Sequence, residues 1–165
     1  IVELMLVLEP LPEAIWGLSC MFEKESDSMN FVTLVRADET VASLEFFDKG
    51  ALNVLRRQKS AGSAFAALPD IPERIDSIVY TELHCPDEEA RLAQLLRIGE
   101  LIRQAGGSED DTWVARNQSD LDGLMFFRHA VPESTNMNID QLRKKDLLIL
   151  YTLFFQQYFS SSLSS

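Results

Sequence analysis

The sequence predicts an α+β fold, a ferredoxin-like antiparallel sheet with helices on one face. Two observations favour this class. Short apolar runs typical of strands alternate with segments in which apolar residues recur every three or four positions. None of the strand-to-helix turns carries the glycine-rich signature of doubly wound parallel folds. With 165 residues, 46% of them hydrophobic, the chain is long enough for one domain with a buried core.

Four segments are predicted to form strands because they are short, apolar and rich in β-branched or aromatic residues. They are residues 2–8, 14–22, 41–47 and 76–85. Prolines at positions 10 and 12 end the first strand, because proline cannot donate a hydrogen bond to a sheet ladder. The predicted order along the whole chain is β-β-α-β-α-β-α-α, and a split βαβ unit is the nearest standard arrangement.

The strongest helix signal follows Pro86. Asp87 is a typical N-cap and Gly106 a typical helix-ending residue, with an apolar stripe of leucine and isoleucine between them. The loop between the second helix and the fourth strand covers residues 60–74, which are rich in small residues and proline. The other predicted helices cover residues 25–37 with Ser26 or Asp27 as the cap, 49–59 with Asp48 as the cap, 112–129 with Pro132 as the breaker, and 137–145 as a short turn.

Composition limits the classes of partner. The formal net charge is -11, and so acidic a surface repels phosphate backbones, so we expect no nucleic-acid partner. Cys20 and Cys85 have no paired spacing, which predicts neither a disulfide scaffold nor a zinc ribbon and favours a reducing, cytoplasmic location. His84 and Cys85 are neighbours on a predicted strand and therefore point to opposite faces, so no metal site is expected. His129 is predicted to lie at a helix terminus.

No complete catalytic motif is found. The sequence has no Gly-x-Gly-x-x-Gly fingerprint, no Walker loop and no Gly-x-Ser-x-Gly elbow, so no catalytic residue is predicted. Most carboxylates are interpreted as helix caps and solvated faces. Glu45 and Glu82 lie within predicted strands, where they are either ordinary surface residues or, if they face a partner domain, functional ones.

Trp113 and Arg116 leave two interpretations open. In one, Trp113 anchors a helix in the core and Arg116 pairs with a nearby acid on the surface. In the other, Arg116 is a rigid guanidinium fork that binds a carboxylate through two parallel hydrogen bonds. Trp-x-x-Arg is a weak motif, and the spacing alone does not choose between them.

Four segments taken in order carry a family resemblance. They are "VELMLVLEPLPE", "LEFFDKGALNVLRRQ", "IVYTELHCPDEEARLAQLLRIGELIRQAGG" and "TWVARNQSDLDGLMFFRHAVPE". As an ordered set they resemble the C-terminal domain of FAD-linked oxidases of the vanillyl-alcohol oxidase type, nearest the D-lactate, D-2-hydroxyglutarate and glycolate dehydrogenases. The resemblance covers residues 1–146, and residues 147–165 form an atypical apolar and serine-rich tail.

The resemblance implies a cap domain that covers a flavin held mainly by another domain, so no FAD is expected on this chain alone. It also implies that Arg116 binds the carboxylate of a 2-hydroxy acid and that Trp113 holds that arginine's helix. Two positions depart from the family pattern. Asp120 stands where a hydroxyl is expected, and a lysine expected near Val131 is absent, although Arg128 can supply its charge.

The expected function is therefore substrate binding within an FAD-dependent 2-hydroxy-acid dehydrogenase or oxidase. The family's flavin-binding domain and its His-x-Gly-Asp-Gly-Asn segment are not in this sequence, so we expect a fragment that is inactive alone. Two alternatives stay open. One is a free-standing α+β binding module that forms a homodimer through its sheet, and the other is a non-functional product that aggregates through residues 147–159. The run Leu147–Phe155 is interpreted as a non-native tail or a sheet-edge segment.

Overall fold

The computed structural model describes residues 15–62 and 64–162, so the predicted strand over residues 2–8 lies outside the described residues. The described chain forms four strands and four longer helices. In chain order they are β1 (Ile15–Phe22), α1 (Glu25–Val35), β2 (Val41–Phe47), α2 (Lys49–Ser60), β3 (Ser77–His84), α3 (Glu88–Ala105), β4 (Thr112–Val114) and α4 (Gln118–Ser162). Short 3-10 turns at Ala64–Ala67 and Glu109–Asp111 lie in the loops before β3 and β4.

The four strands form one antiparallel sheet in the order β2-β3-β1-β4. Helix α1 connects β1 to β2 across β3, and α3 connects β3 to β4 across β1. These are two interleaved split βαβ units, which is the ferredoxin-like arrangement. The predicted α+β fold with an antiparallel sheet is confirmed.

Both faces of the sheet carry apolar side chains. Successive residues of a strand point to opposite faces, and apolar residues occur on each face. Leu18, Cys20 and Val79 pack on one face with residues of α1 and α3. Met21 and Tyr80 pack on the other face with residues of α2 and α4. The sequence predicted helices on one face of the sheet only, and α1 and α3 do form one such layer. A second layer, α2 and α4, covers the opposite face, which would otherwise leave aromatic and aliphatic side chains in water.

The ends of α2 and α3 follow the capping chemistry expected from the sequence. The Asp87 carboxylate accepts a 2.7 Å hydrogen bond from the Ala90 backbone N–H, and Asp48 caps α2 in the same way. Gly106 ends α3 with φ of 96°, a left-handed conformation that glycine adopts without a steric penalty. For α1 the predicted caps are wrong. Lys24 occupies the N-cap position without a side-chain hydrogen bond, and both predicted caps lie inside the first turn.

The predicted helix over residues 112–129 is correct only from residue 118 onward. Thr112–Val114 forms the edge strand β4, with Trp113 opposite Ser19 of β1. α4 begins after Asn117, whose side-chain oxygen accepts a 2.9 Å hydrogen bond from the Asp120 backbone N–H. The correction has a local cause, because Thr-Trp-Val favours an extended backbone and asparagine is a good N-cap.

Pro132 does not break α4, contrary to the sequence-based prediction. Proline inside a helix lacks an N–H donor and costs about 3 kcal/mol. Here the surrounding turn is buried, with Ala130, Val131 and Ser134 almost fully removed from solvent. The hydroxyls of Ser134 and Thr135 donate to the Val131 carbonyl, at 2.8 and 3.1 Å. Packing against α2 thus holds the chain helical where local preference would end the helix.

The tail also differs from its prediction. α4 continues through residue 146 to Ser162, so Leu147–Phe155 is helical and the sheet-edge interpretation is wrong. His129 consequently lies inside a long helix and not at its terminus. Leu147, Leu148 and Ile149 are exposed apolar residues on this extension. Within residues 15–62 and 64–162, no helix has the length and apolar character needed to cross a membrane.

Candidate functional site

A cleft of about 630 Å³ lies where β4 passes into α4. β4 contributes Trp113, the connection contributes Arg116, and the loop before β3 contributes Pro69. The helix contributes residues spaced at the period of one helical face: Asp120, Gly123, Leu124 and Phe127. The structure therefore brings together two of the three predicted site residues, Trp113 and Arg116.

Arg116 lies at the edge of the cleft on the connection between β4 and α4, and not on a helix as predicted. Its side chain is 82% exposed. Among the described residues its hydrogen bonds go to Asp120 alone. The Arg116 Nε–H and the Arg116 backbone N–H both donate to Asp120 Oδ2, at 3.0 and 3.1 Å. The two terminal nitrogens of the guanidinium, Nη1 and Nη2, make no hydrogen bond within the described chain, so they can receive a carboxylate end-on.

Asp120 thus holds the backbone N–H and Nε–H of Arg116 and, within the described chain, leaves Nη1 and Nη2 at the tip of the guanidinium accessible. The same aspartate is the position at which the sequence departs from the resembled family. Hydrogen bonds from the Arg116 backbone N–H and then from its guanidinium hold the pKa of Asp120 below its ordinary value. The acid is therefore ionised at neutral pH and offsets part of the charge of Arg116, which weakens the attraction for a second carboxylate.

Replacing Arg116 with glutamine is expected to raise the pKa of Asp120, but not to its ordinary value, because the backbone N–H of residue 116 remains a donor. Titration of the side-chain carboxyl carbon by NMR between about pH 2 and 6 measures this directly. Since the folded-state pKa is depressed, the stability contributed by the pair is present above the ordinary pKa and is lost as pH falls through the depressed one.

Asp111 provides the control for that titration. Hydrogen bonds from Arg74 hold the pKa of Asp111 below its ordinary value, and Arg116 takes no part in them. Asp111 should therefore titrate identically in the wild type and in Arg116→Gln. An unchanged pKa of Asp120 in the variant would show that the Arg116–Asp120 pair does not form in solution.

Trp113 is half-buried on the edge strand, with its ring near the base of the cleft. It packs edge-on against Phe127, with ring centroids 5.5 Å apart and an interplanar angle of 88°. Phe127 makes a second edge-on contact with Phe47 at 5.8 Å. The prediction that Trp113 holds the helix of Arg116 is wrong in detail, because the two residues lie on a strand and a connection. Its aromatic contact nevertheless ties β4 to the first part of α4.

Arg128, the third predicted site residue, lies outside this cleft. Its side chain is 16% exposed. It reaches toward β2 and β3, the two strands of the sheet that lie farthest from β4. Nε–H donates a 2.6 Å hydrogen bond to Glu45 Oε1, and Nη1–H donates to Glu82 Oε1 at 3.2 Å. The hydrogen bond to Glu45 is the main cause that raises the pKa of Arg128, so the guanidinium stays charged. Its binding of a substrate carboxylate remains a prediction that this geometry does not support.

Tyr80 completes the group around Arg128. Its hydroxyl donates a 2.8 Å hydrogen bond to Glu82 Oε1, and its ring centroid lies 5.5 Å from the Arg128 guanidinium carbon. Burial, followed by the negative charge of Glu82, raises the pKa of Tyr80 and keeps the phenol protonated. Glu45 and Glu82 are therefore neither open surface nor exposed to a partner. With one guanidinium and two carboxylates, the group carries one unbalanced negative charge.

Sequence reasoning missed most of the cleft lining. Gly123, Leu124 and Phe127 follow Asp120 at intervals of three, four and seven, the pattern of one helical face, so that signal was present. Pro69 had no such signal, because a loop distant in sequence supplies it. No group of three or more His, Cys, Asp or Glu side chains in the described residues is placed to hold a metal ion. His84 is the last residue of β3, and Cys85 is the first residue after it.

Comparison with known proteins does not identify a family. No protein-family model matches the sequence, and a search of curated proteins finds no significant relative.

Proposed function

We propose that this chain is a substrate-binding cap domain of an FAD-dependent oxidoreductase that acts on 2-hydroxy acids. The observation that carries the proposal is the open tip of Arg116 at the edge of the cleft. An exposed guanidinium with two unengaged nitrogens has the geometry for bidentate carboxylate binding. Asp120 acts as its positioning residue by binding the opposite edge of the same side chain.

The cleft suits a substrate better than it suits FAD itself. Arg116 and Asp120 are the charged residues of the lining within the part of the chain that the structure describes, so a diphosphate would meet one cation and one anion there. We therefore assign the flavin to a separate flavin-binding domain, which would cover the open side of the cleft. The chain by itself is then inactive, and its part in the reaction is to hold and orient the substrate. This setting includes a cytoplasmic location, in line with the free, buried Cys20 and Cys85.

The genomic sequence on both sides of this coding region tests membership of a larger flavoenzyme. Translation in every frame is expected to find a flavin-binding domain upstream and a His-x-Gly-Asp-Gly-Asn segment downstream. If neither is found, the cap-domain proposal fails, and the homodimeric binding module becomes the better interpretation. The oligomeric state of the purified chain then tests that alternative.

The Arg116 site can be tested on the chain itself by NMR titration with D-lactate and with lactamide, which has the same shape and no charge. We expect D-lactate to shift the backbone amides of Arg116 and Asp120, and lactamide to leave them unchanged. Arg116→Gln should weaken D-lactate binding by at least about tenfold, because a charge-assisted bidentate pair is lost.

Arg103→Gln is the matched control, because Arg103 is also exposed and paired with a neighbouring acid, Glu100. It should bind D-lactate as the wild type does. Equal D-lactate binding by Arg116→Gln and the wild type would remove the carboxylate role from Arg116.

A further inference from the structure

We infer that the cleft selects 2-hydroxy monocarboxylates that carry a large apolar side chain, aromatic or branched, over lactate and over dicarboxylates. The inference rests on the proposed function of Arg116 as the carboxylate ligand. It goes further by assigning the rest of the cleft to the substrate's side chain. Pro69, Trp113 and Val114, the apolar lining residues that keep some exposed surface, would contact that side chain.

The lining beyond Arg116 is mainly apolar. Trp113 and Val114 come from β4, Leu124 and Phe127 from α4, and Pro69 from the facing loop. These residues form the apolar part of the lining, and Arg116 and Asp120 form its charged part. A ligand with one charged end and one apolar end matches this division, because each end then meets a surface of its own kind.

The size of the cleft points the same way. At about 630 Å³ it falls within the range of sites that hold drug-sized ligands. A three-carbon hydroxy acid bound at Arg116 would leave the exposed surfaces of Pro69, Trp113 and Val114 in contact with water. A phenyl or branched alkyl group in the same position would remove that water from Trp113 and Val114, which stabilises the complex.

A dicarboxylate lacks a second cation in this cleft. Among the described residues of its lining Arg116 is the one basic residue, and Asp120 is close enough to repel a second carboxylate. Arg128, the next arginine along the chain, is bound by Glu45 of β2 and Glu82 of β3, the two strands farthest from β4. The second carboxylate of 2-hydroxyglutarate would therefore lose water without gaining an ionic partner.

Gly123 offers a way to block the apolar end without touching Arg116. It lies on the cleft side of α4, and a Cβ added there meets no atom within 4 Å. A larger side chain at this position therefore extends into open space in the cleft without displacing the helix. Gly123→Leu should fill the apolar end, whereas Gly123→Ala is a matched control that adds one methyl group and favours the helix.

The experiment is an NMR titration of the full chain with D-3-phenyllactate, D-lactate and D-2-hydroxyglutarate, following backbone amides and the Trp113 indole N–H. Trp16→Phe assigns the two indole signals. We expect D-3-phenyllactate to bind about tenfold more tightly than D-lactate, and D-2-hydroxyglutarate no more tightly than D-lactate. Gly123→Leu should reduce D-3-phenyllactate to the affinity of D-lactate, with D-lactate binding unchanged, and Gly123→Ala should alter neither.

The outcomes separate this inference from the proposed function. Equal affinities for the three acids, all lost in Arg116→Gln, would overturn the selectivity and leave the carboxylate site intact. Tighter binding of D-2-hydroxyglutarate would also overturn it. Binding of D-3-phenyllactate that is unchanged in Arg116→Gln would overturn both, since the carboxylate would then take no part. If Gly123→Leu fails to fold, the ligand series in the wild type and in Arg116→Gln still decides the question.

Discussion

Replacing Arg128 with methionine is expected to lower the free energy of unfolding by about 3–5 kcal/mol. The guanidinium lies between Glu45 of β2 and Glu82 of β3, whose side chains are 6% and 10% exposed. Methionine fills much of the same volume but leaves two neighbouring carboxylates with little access to water and no cation. The cost comes mainly from those unpaired charges and less from the lost pair itself.

Urea denaturation at neutral pH measures this effect, and Arg103→Met is its matched control. Arg103 is paired with Glu100 but its side chain is 60% exposed, so its loss should cost less than about 1 kcal/mol. Adding Glu45→Gln and Glu82→Gln to Arg128→Met should recover most of the stability, because the buried charges are removed together. A cost for Arg128→Met as small as that for Arg103→Met would contradict the buried ion-pair group.

Phe127→Ala is expected to lower the free energy of unfolding by about 3–5 kcal/mol, the cost of removing a fully buried aromatic side chain. Phe127 is 1% exposed and makes edge-on contacts with Phe47 and Trp113. Its loss leaves a cavity between β2, β4 and α4 that these elements cannot close without moving. The same change enlarges the cleft at its apolar end.

Phe126→Ala is a closely matched control, since Phe126 is the preceding residue on the same helix and is 42% exposed. It should cost less than about 1 kcal/mol, because much of its surface is already in water. Urea denaturation of the two variants under identical conditions gives the comparison. Similar costs for both would show that α4 does not pack against the sheet through Phe127.

Local signals predicted the elements whose boundaries depend on nearby residues. The strand at residues 41–47 and the helix ending at Gly106 agree with their predictions, because a short apolar, β-prone run, an N-cap and a left-handed glycine act within a few positions. The boundary at Thr112–Val114 was missed although a local signal existed. A short β-prone segment next to a strong helix is easily assigned to that helix.

Pro132 shows where local reasoning fails for a physical reason. Its local effect favours ending the helix, and the burial of Ala130 and Val131 against the core outweighs that effect. The second helical layer has the same origin. Successive residues of a strand point to opposite faces of the sheet, but this geometry does not show which helix covers each face.

The residues of the candidate site also differ in how far local sequence patterns predict them. Trp113 and Arg116 are close in sequence, so their nearness in the cleft could be expected from spacing. Arg128 and Glu45 are 83 positions apart, and no local pattern indicates that they meet. The sequence by itself determined the α+β class, the caps of α2 and α3 and the position of an arginine close to a tryptophan, because these depend on short-range geometry. Tertiary structure alone decided that the tip of Arg116 is accessible and that Arg128 is held between two carboxylates. The reason is that folding brings Glu45 and Glu82 beside Arg128.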